Sequence, residues 1–540
     1  MHVDYNEALA ACEANYVPLS PLSFLRRTGK VFGHRTSLIQ DDRRYTWAET
    51  HERCRRFAAA LQGLGIGKGD TVAALLPNII AMYEAHFAVP MLGAVLNGIN
   101  IRLDAAAIAF ILDHSESRVL LVDPEFAAVA KEAVSLMKGD APTLITVVDE
   151  AAGFTERLGE LEYEAFIAAA EPLSDIPLPD NEWDAIALGY TSGTTGNPKG
   201  VVTHHRGAYL NAVSNTMAWS LPASVTYLWT LPMFHCNGWC FPWTVAALGG
   251  TNVCLRRVDA QVIADLIREH GVTHFCGAPI VHSMISELPK ETFEGLGRVV
   301  KGLVAGAPPP ASVFERMRAL GFEVTHVYGL TEVYGPAVVC TPQQEWADKP
   351  AAEQIELAGR QGVNYPLEED VVVMDPDTMT EVPHDGETIG EVMFRGNIVM
   401  KGYLKNPEAT TEAFKDGWFH SGDLAVVYPD GYLKIRDRSK DVIISGGENI
   451  ASLEVEEALQ AHPEVLVSAV VAMKHEKWGE VPAAYVQLRP GSRLEAAELK
   501  EFCKAHLPGF KVPKKFVIGP IPTTSTGKIQ KFKLREKVID

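Results

Sequence analysis

DAIALGYTSGTTGNPKG, residues 184–200, changes character in its middle. Residues 184–190 are mostly apolar and short enough for a buried strand. Residues 191–199 then crowd three threonines, one serine and two glycines ahead of Lys199. A loop of this composition after a strand presents backbone N–H groups and hydroxyls to phosphate oxygens, and the lysine adds a point charge. Taken alone, it is also compatible with a plain surface connection. A nucleotide P-loop is excluded, because that motif sets four residues between a glycine and a Gly-Lys-Ser/Thr run. Here Lys199 follows Pro198 and precedes Gly200. No GxGxxG follows a strand pattern, which removes the main support for a dinucleotide oxidoreductase.

On either side of this stretch, apolar β-rich runs alternate with amphipathic ones. Residues 70–76 (DTVAALL) and 117–123 (SRVLLVD) read as buried strands, and residues 48–65 have helical spacing and end in glycine. TLITVV, VTYLWTL, TNVCL, THFCGA, VKGLVAG and EVTHVYG continue the strand series, with DAQVIADLIREHG and ASVFERMRALG as helices between them. The alternation predicts a layered α/β fold with largely parallel sheets, whose ligands bind beyond the carboxyl ends of strands. After about residue 360, short strands separated by Asp-Gly and Pro-Asp-Gly turns predict a small antiparallel β unit. A further set of elements follows SKDVIISGGENI, so a domain boundary is expected near 438–441.

Length and composition narrow the function. At 540 residues the chain is long enough for several domains. A formal charge of −19, from 68 acidic and 49 basic residues, opposes nucleic-acid binding, and the lysines after residue 511 are read as a solvated surface. Eight scattered cysteines do not form a disulfide framework, so free thiols in a reducing compartment are expected. His235, Cys236 and Cys240 lack a second pair at zinc-ligand spacing. The first residues do not read as a signal peptide, no apolar run is long enough for a membrane span, and KVID is not a peroxisomal address. A cytoplasmic enzyme with no nucleic-acid or membrane partner is the expectation.

Seven further stretches accompany the opening one: LPMFHCNGW (231–239), VAGAPPP (304–310), YGLTE (328–332), GWFHSGD (417–423), IRDRSKDVIISGGENI (435–450), EVPAAYV (480–486) and PTTSTGKIQK (522–531). In this order they resemble the adenylate-forming superfamily of acyl-CoA synthetases, luciferases and peptide-synthetase adenylation domains. The resemblance covers nearly the whole chain. It implies a large N-terminal adenylation domain of two α/β sheets plus a small β unit (1–437), a hinge (438–440) and a small mobile α+β C-terminal domain (441–540). The reaction it implies joins a carboxylic acid to ATP as acyl-AMP, then to coenzyme A, with ATP, Mg²⁺ and coenzyme A as cofactors.

That chemistry brings an anionic carboxylate to an anionic α-phosphate, so cations and aligned dipoles must offset the repulsion. By the resemblance, Thr191, Ser192, Gly193, Thr194, Thr195, Gly196 and Lys199 hold the β- and γ-phosphates. Glu332 is the Mg²⁺ ligand, with Thr191 nearby. Tyr328 stacks on adenine, flanked by Gly306 and Ala307. Thr331 contacts the α-phosphate, Asp423 the ribose hydroxyls, and Arg438 ribose or phosphate oxygens. Lys528 bridges the carboxylate and the α-phosphate, whereas Lys531 has no role in the pattern and is placed on the surface. Lys440 is the hinge about which the C-terminal domain rotates between the half-reactions, bringing Gly446 and Gly447 to line the pantetheine tunnel. His235 matches an aromatic gate, with a satisfied core histidine as the alternative. Trp478 is set beside the coenzyme, with interdomain packing as the alternative.

The acyl pocket implied by the resemblance is bounded by His235, Trp239, Gly306 and Gly329. An indole at 239 shortens the cavity and favours small acids, unless Trp239 is plain core packing. FHCNGWCFPW, YGLTEVYGP and RQGVNYP are similar to the short- and medium-chain ligase branch. This makes 3-methylmercaptopropionate the leading expected substrate, with butyrate, medium-chain and benzoate-type acids as alternatives. A carrier-protein-loading module, a luciferase-like oxidase and a non-catalytic nucleotide-binding protein are the competing readings. No carrier domain is expected after residue 540, and the joint presence of Lys199, Glu332, Asp423, Arg438 and Lys528 argues against a scaffold. A homodimer is an expectation of the resemblance alone.

Overall fold

Thr71–Leu75 and Ser117–Val122, both expected as buried strands, lie side by side and parallel, with all five residues of the first buried. Both faces of such a strand are covered, so apolar residues run on without alternation. The computed structural model describes residues 5, 9–191, 198–306, 311–446, 448–523 and 529–538. Among them, an eight-stranded sheet centres on these two strands. Its interior is parallel, and the added strands Gly200–His204 and Gly402–Tyr403 are antiparallel. Ala185–Tyr190, the strand of the quoted stretch, pairs parallel with Val95–Gly98 and antiparallel with Gly200–His204.

A nine-stranded sheet forms the second layer. Thr226–Leu228, His274–Gly277, Val300–Val304 and Phe322–Leu330 run parallel in its middle. Helices return between the parallel strands where the sequence provides starts and stops. Ala260–His270 begins where Asp259 accepts hydrogen bonds from the Gln261 and Val262 amides, and ends at Gly271, whose φ of 66° favours glycine. Trp47–Gly63 starts on a reciprocal capping box between Thr46 and Glu49. The predicted β unit is a five-stranded antiparallel sheet that includes Asp370–Asp375, Gly390–Arg395, Phe419–Val427 and Leu433–Arg438.

The chain thus has the α/β architecture of a large N-terminal domain and a small C-terminal one. In the small domain, Val465–His475 and Gly479–Leu488 form a long antiparallel pair, with Ser452–Gln460, Ala496–His506 and Lys531–Val538 as helices. One expectation is corrected here. Lys531 is not a surface residue: its ammonium lies 2.5 Å from Ser452 Oγ and 2.8 Å from Glu456 Oε1, and the side chain is 12% exposed. Leu534 and Val538 follow it at helical spacing and are buried against Ala469, Val471 and Tyr485, so Lys531 starts on the packed face. Ser452 Oγ continues the network to Asp437 Oδ1 at 3.0 Å, and the Ser452 amide donates to the other carboxylate oxygen.

Candidate active site

The carboxyl end of Ala185–Tyr190 and the start of Gly200–His204 are tied by Tyr190 opposite Gly200 and by the Thr191 amide donating to the Lys199 carbonyl at 3.0 Å. Thr191 and Lys199 therefore flank the Ser/Thr/Gly segment as the two ends of a hairpin. Ser192, Gly193, Thr194, Thr195 and Gly196 lie outside the described residues, as do Ala307, Gly447 and Lys528.

Lys199 extends over the Tyr403 ring, its ammonium 4.6 Å from the centroid. The Tyr403 hydroxyl donates to Glu332 Oε1 at 3.0 Å, and the Met400 amide donates to the Glu332 carbonyl at 2.7 Å. Desolvation first, and the Glu332 carboxylate second, push the Tyr403 phenol well above its ordinary value, so it stays a donor at neutral pH. A carboxylate at the hydroxyl of one ring and an ammonium over its face are groups that suit Mg²⁺ and phosphate oxygens respectively. Thr331 joins the group: its methyl lies 3.3 Å from where a Cβ on Gly189 would sit, and its hydroxyl is 3.5 Å from Cys236 Sγ.

A second cluster lies farther along. Asp423 and Arg438 are opposite each other on neighbouring antiparallel strands, with Arg438 Nε 3.3 Å from Asp423 Oδ1. The Tyr328 hydroxyl donates to Asp423 Oδ2 at 2.7 Å. Desolvation and then Asp423 hold the Tyr328 hydroxyl well above its usual value. Val304 and His326 are partners on parallel strands, so Gly306 and Tyr328 both follow at the carboxyl ends. Gly306 has a φ of 97°, where a side chain is strained.

The segment after His235 has unusual backbone geometry. Cys236, Asn237, Gly238, Trp239 and Cys240 have φ values of 41°, 42°, 58°, 54° and 63°, a left-handed turn with one glycine. Each non-glycine residue in that conformation costs about 1–2 kcal/mol, so surrounding contacts must hold it. Trp239 is 5% exposed and belongs to the main hydrophobic core, so a packing role is present whatever else it does. His235 is only half-buried. A Cβ on Gly335 would sit 3.1 Å from Trp239 Cα, and one on Gly329 would sit 1.7 Å from the Gly335 carbonyl oxygen. Trp239, Gly335 and Gly329 are therefore stacked backbone to backbone.

In the small domain the Gly446 amide donates to the Trp478 carbonyl at 2.8 Å, and a Cβ on Gly446 would lie 2.7 Å from the Trp478 ring. The Lys440 carbonyl accepts a hydrogen bond from Arg535 at 3.3 Å. Desolvation, then Arg438, holds the Lys440 ammonium below its ordinary value. The structure thus brings together Thr191, Lys199, Thr331 and Glu332, separately Tyr328, Asp423 and Arg438, and separately Gly446 and Trp478. Sequence reasoning missed Tyr403. Its available signal was a Gly-Tyr pair shortly before the Asn406–Pro407 helix start, which fixes it on the strand beside Gly200–His204.

Among the described residues no group of three or more His, Cys, Asp or Glu forms a metal cluster, and no helix is long and apolar enough to cross a membrane. The eight cysteines are free thiols in the structure. A family model described as AMP-binding enzyme matches residues 25–404, and one described as AMP-binding enzyme C-terminal domain matches residues 454–528. An acetate–CoA ligase of Humulus lupulus is 50% identical, over 97% of this chain and 95% of its own. An acetate/butyrate–CoA ligase of Arabidopsis thaliana, named as peroxisomal, is 51% identical over the same shares. The structure of an anthranilate–CoA ligase with anthranoyl-AMP superposes with a TM-score of 0.84 at 25% identity, covering 97% of this chain and 98% of that one.

Proposed function

The chain belongs to the AMP-binding enzyme family and is an acid–thiol ligase that uses ATP, Mg²⁺ and coenzyme A; from that premise we propose that it activates small aliphatic monocarboxylic acids. Acetate to butyrate head the range, because the named activities of the relatives at about half identity point there. 3-Methylmercaptopropionate, expected as the leading substrate, is not among the named activities of these relatives and is kept only as a slender thioether acid one chain atom beyond butyrate. Trp239, buried in the core beside the Gly329–Gly335 stack, is read as the inner wall of a short acyl site.

The reading rests on the grouping of Lys199, Tyr403 and Glu332 beside Thr331. In the first step a carboxylate oxygen bonds to the α-phosphorus, the α–β bridging bond breaks, and pyrophosphate leaves. Lys199 and Thr191 receive the β- and γ-phosphate oxygens, Thr331 the α-phosphate, and Tyr328, Gly306, Asp423 and Arg438 the adenosine. Glu332, fixed by Tyr403, would hold the Mg²⁺ ion, which neutralises phosphate charge. Lys528 bridges the two reacting anions. In the second step the coenzyme A sulfur bonds to the acyl carbon, the acyl–phosphate oxygen bond breaks, AMP leaves, and the thiol proton passes to solvent. The boundary at 438–440 is the proposed hinge between these steps. His235 gates the acyl site, and Gly446, Gly447 and Trp478 contact the coenzyme.

The test is coenzyme A-dependent AMP release across straight-chain acids of two to ten carbons, 3-methylmercaptopropionate, benzoate and cinnamate. The highest kcat/KM is expected for acids with backbones of two to five heavy atoms. A profile dominated by aromatic or long acids overturns the assignment. Localisation of a tagged chain decides between cytoplasm and the compartment named for the Arabidopsis relative.

A further inference from the structure

The left-handed turn at 236–240 is held from behind by one helix. His205–Ala218 carries Asn211 and Asn215 one turn apart, both fully buried. Asn215 Nδ2 donates to the Trp239 carbonyl at 2.9 Å and to Thr244 Oγ1 at 3.1 Å. Asn211 Nδ2 donates to the Tyr334 carbonyl at 3.0 Å. Tyr334 is itself left-handed, with a φ of 59°, and precedes Gly335, the residue stacked against Trp239. The Cys240 thiol reaches the same Tyr334 carbonyl at 3.8 Å. Two strained turns, far apart in sequence, are thus pinned to each other and to a single helix face.

The amide oxygens of Asn211 and Asn215 meet no protein donor among the described residues. The polar contacts that these two side chains make to the protein are therefore those of their NH₂ groups. A leucine would fill nearly the same volume but take away the donors to the Trp239 and Tyr334 carbonyls. What the NH₂ groups do is fix the carbonyls of Trp239 and Tyr334, and with them the depth at which the indole stands.

We propose that Asn211 and Asn215 are positioning residues that set acyl-chain length, by clamping the backbone of Trp239 and of the Tyr334–Gly335 turn. The inference rests on the reading of Trp239 as the inner wall of the acyl site. Loss of the Asn215 clamp lets the turn relax toward ordinary backbone geometry and the indole withdraw, opening room for longer acids. Loss of the Asn211 clamp acts on the opposing turn and in the same direction.

The experiment compares wild type, Asn215→Leu, Asn211→Leu, Trp239→Ala and the Asn215→Leu/Trp239→Ala double variant. The readouts are kcat/KM for butyrate and octanoate, KM for ATP, and thermal stability. Asn215→Leu and Asn211→Leu are each expected to raise the octanoate-to-butyrate ratio by about tenfold, the scale of pocket discrimination in apolar sites. KM for ATP should stay within about twofold. In the Trp239→Ala background, Asn215→Leu should add nothing to the ratio, because the element it positions is gone. A ratio unchanged by both single asparagine variants, while Trp239→Ala shifts it, overturns the clamp and leaves the pocket reading standing. A ratio unchanged by Trp239→Ala overturns the pocket reading itself. Should Asn215→Leu fail to fold, Asn211→Leu and Asn215→Ser carry the same comparison.

Discussion

The Tyr403 hydroxyl donates to the Glu332 carboxylate at 3.0 Å, and the face of the same ring carries the Lys199 ammonium. One aromatic side chain thus links the carboxylate proposed to hold the metal ion to the ammonium proposed to hold phosphate. Tyr403→Phe keeps the ring and loses the hydrogen bond. A hydrogen bond to a charged group is worth about 1.5–3 kcal/mol, so the Mg²⁺ concentration for half-maximal pyrophosphate exchange should rise about tenfold or more. KM for the acid should not follow. Titrating Mg²⁺ against exchange rate checks this, and an unshifted midpoint removes Tyr403 from the site.

Asp423 receives Tyr328 and Arg438 on its two oxygens. Asp423→Asn preserves shape but removes the charge both donors face. KM for ATP should rise about tenfold or more, with the acid profile intact. Initial rates against ATP at saturating acid provide the measurement. A change confined to the acid would place Asp423 elsewhere in the reaction.

Lys528 and Lys531 should behave as different kinds of lysine, although three residues apart. Lys528→Ala should abolish acid-dependent pyrophosphate exchange, leave thioester formation from supplied acyl-adenylate intact, and leave the melting temperature unchanged. Lys531→Met strips the buried Glu456 of its cation; breaking such a pair from one side costs about 3–5 kcal/mol. Its melting temperature should fall, and Lys531→Arg should recover part of the loss. Equal loss of both half-reactions in Lys528→Ala would reject the bridging role.

Glu368 is 2% exposed, and neither of its carboxylate oxygens has a partner among the described residues. Burial, with Glu369 and Asp370 beside it, pushes its carboxyl from the usual 4.5 up to about 8. Between those values the folded chain keeps a proton that the unfolded chain has released. Stability contributed by this group is complete below the unfolded value and is lost as pH rises toward the folded one, by up to about 1.4 kcal/mol per pH unit. Glu368→Gln should remove that slope and raise the denaturation midpoint at pH 8 relative to wild type. Urea unfolding at several pH values tests it, and parallel slopes in the two proteins would contradict it.

How much was legible in the sequence depends on what each feature requires. Parallel strands buried on both faces announce themselves as apolar runs, so Thr71–Leu75 and the VLLV of Ser117–Val122 were readable, and Val300–Val304 was readable despite Lys301 within it. Asp259 and Gly271 mark a helix through rules acting within one turn. Lys531 was misplaced because one lysine carries no periodic signal of its own. Only its spacing to Leu534 and Val538 shows the packed face, and that requires knowing where the helix begins. Tyr403 and the Asn211–Asn215 pair escaped for a related reason. Their partners are more than twenty residues away in sequence, and the left-handed turn that Asn215 holds contains a single glycine to advertise it.

The stack of Gly329, Gly335 and Trp239 also constrains how this protein can diversify. A side chain at 329 would have to occupy the position of the Gly335 carbonyl, and one at 335 would press on the Trp239 backbone. Neither glycine is open to gradual change. On the proposed reading of Trp239 as the acyl-site wall, room for bulkier acids comes from trimming the indole or loosening its anchors rather than from these glycines. The two glycines are thereby locked, and variation at this stack is left to the side chain of Trp239.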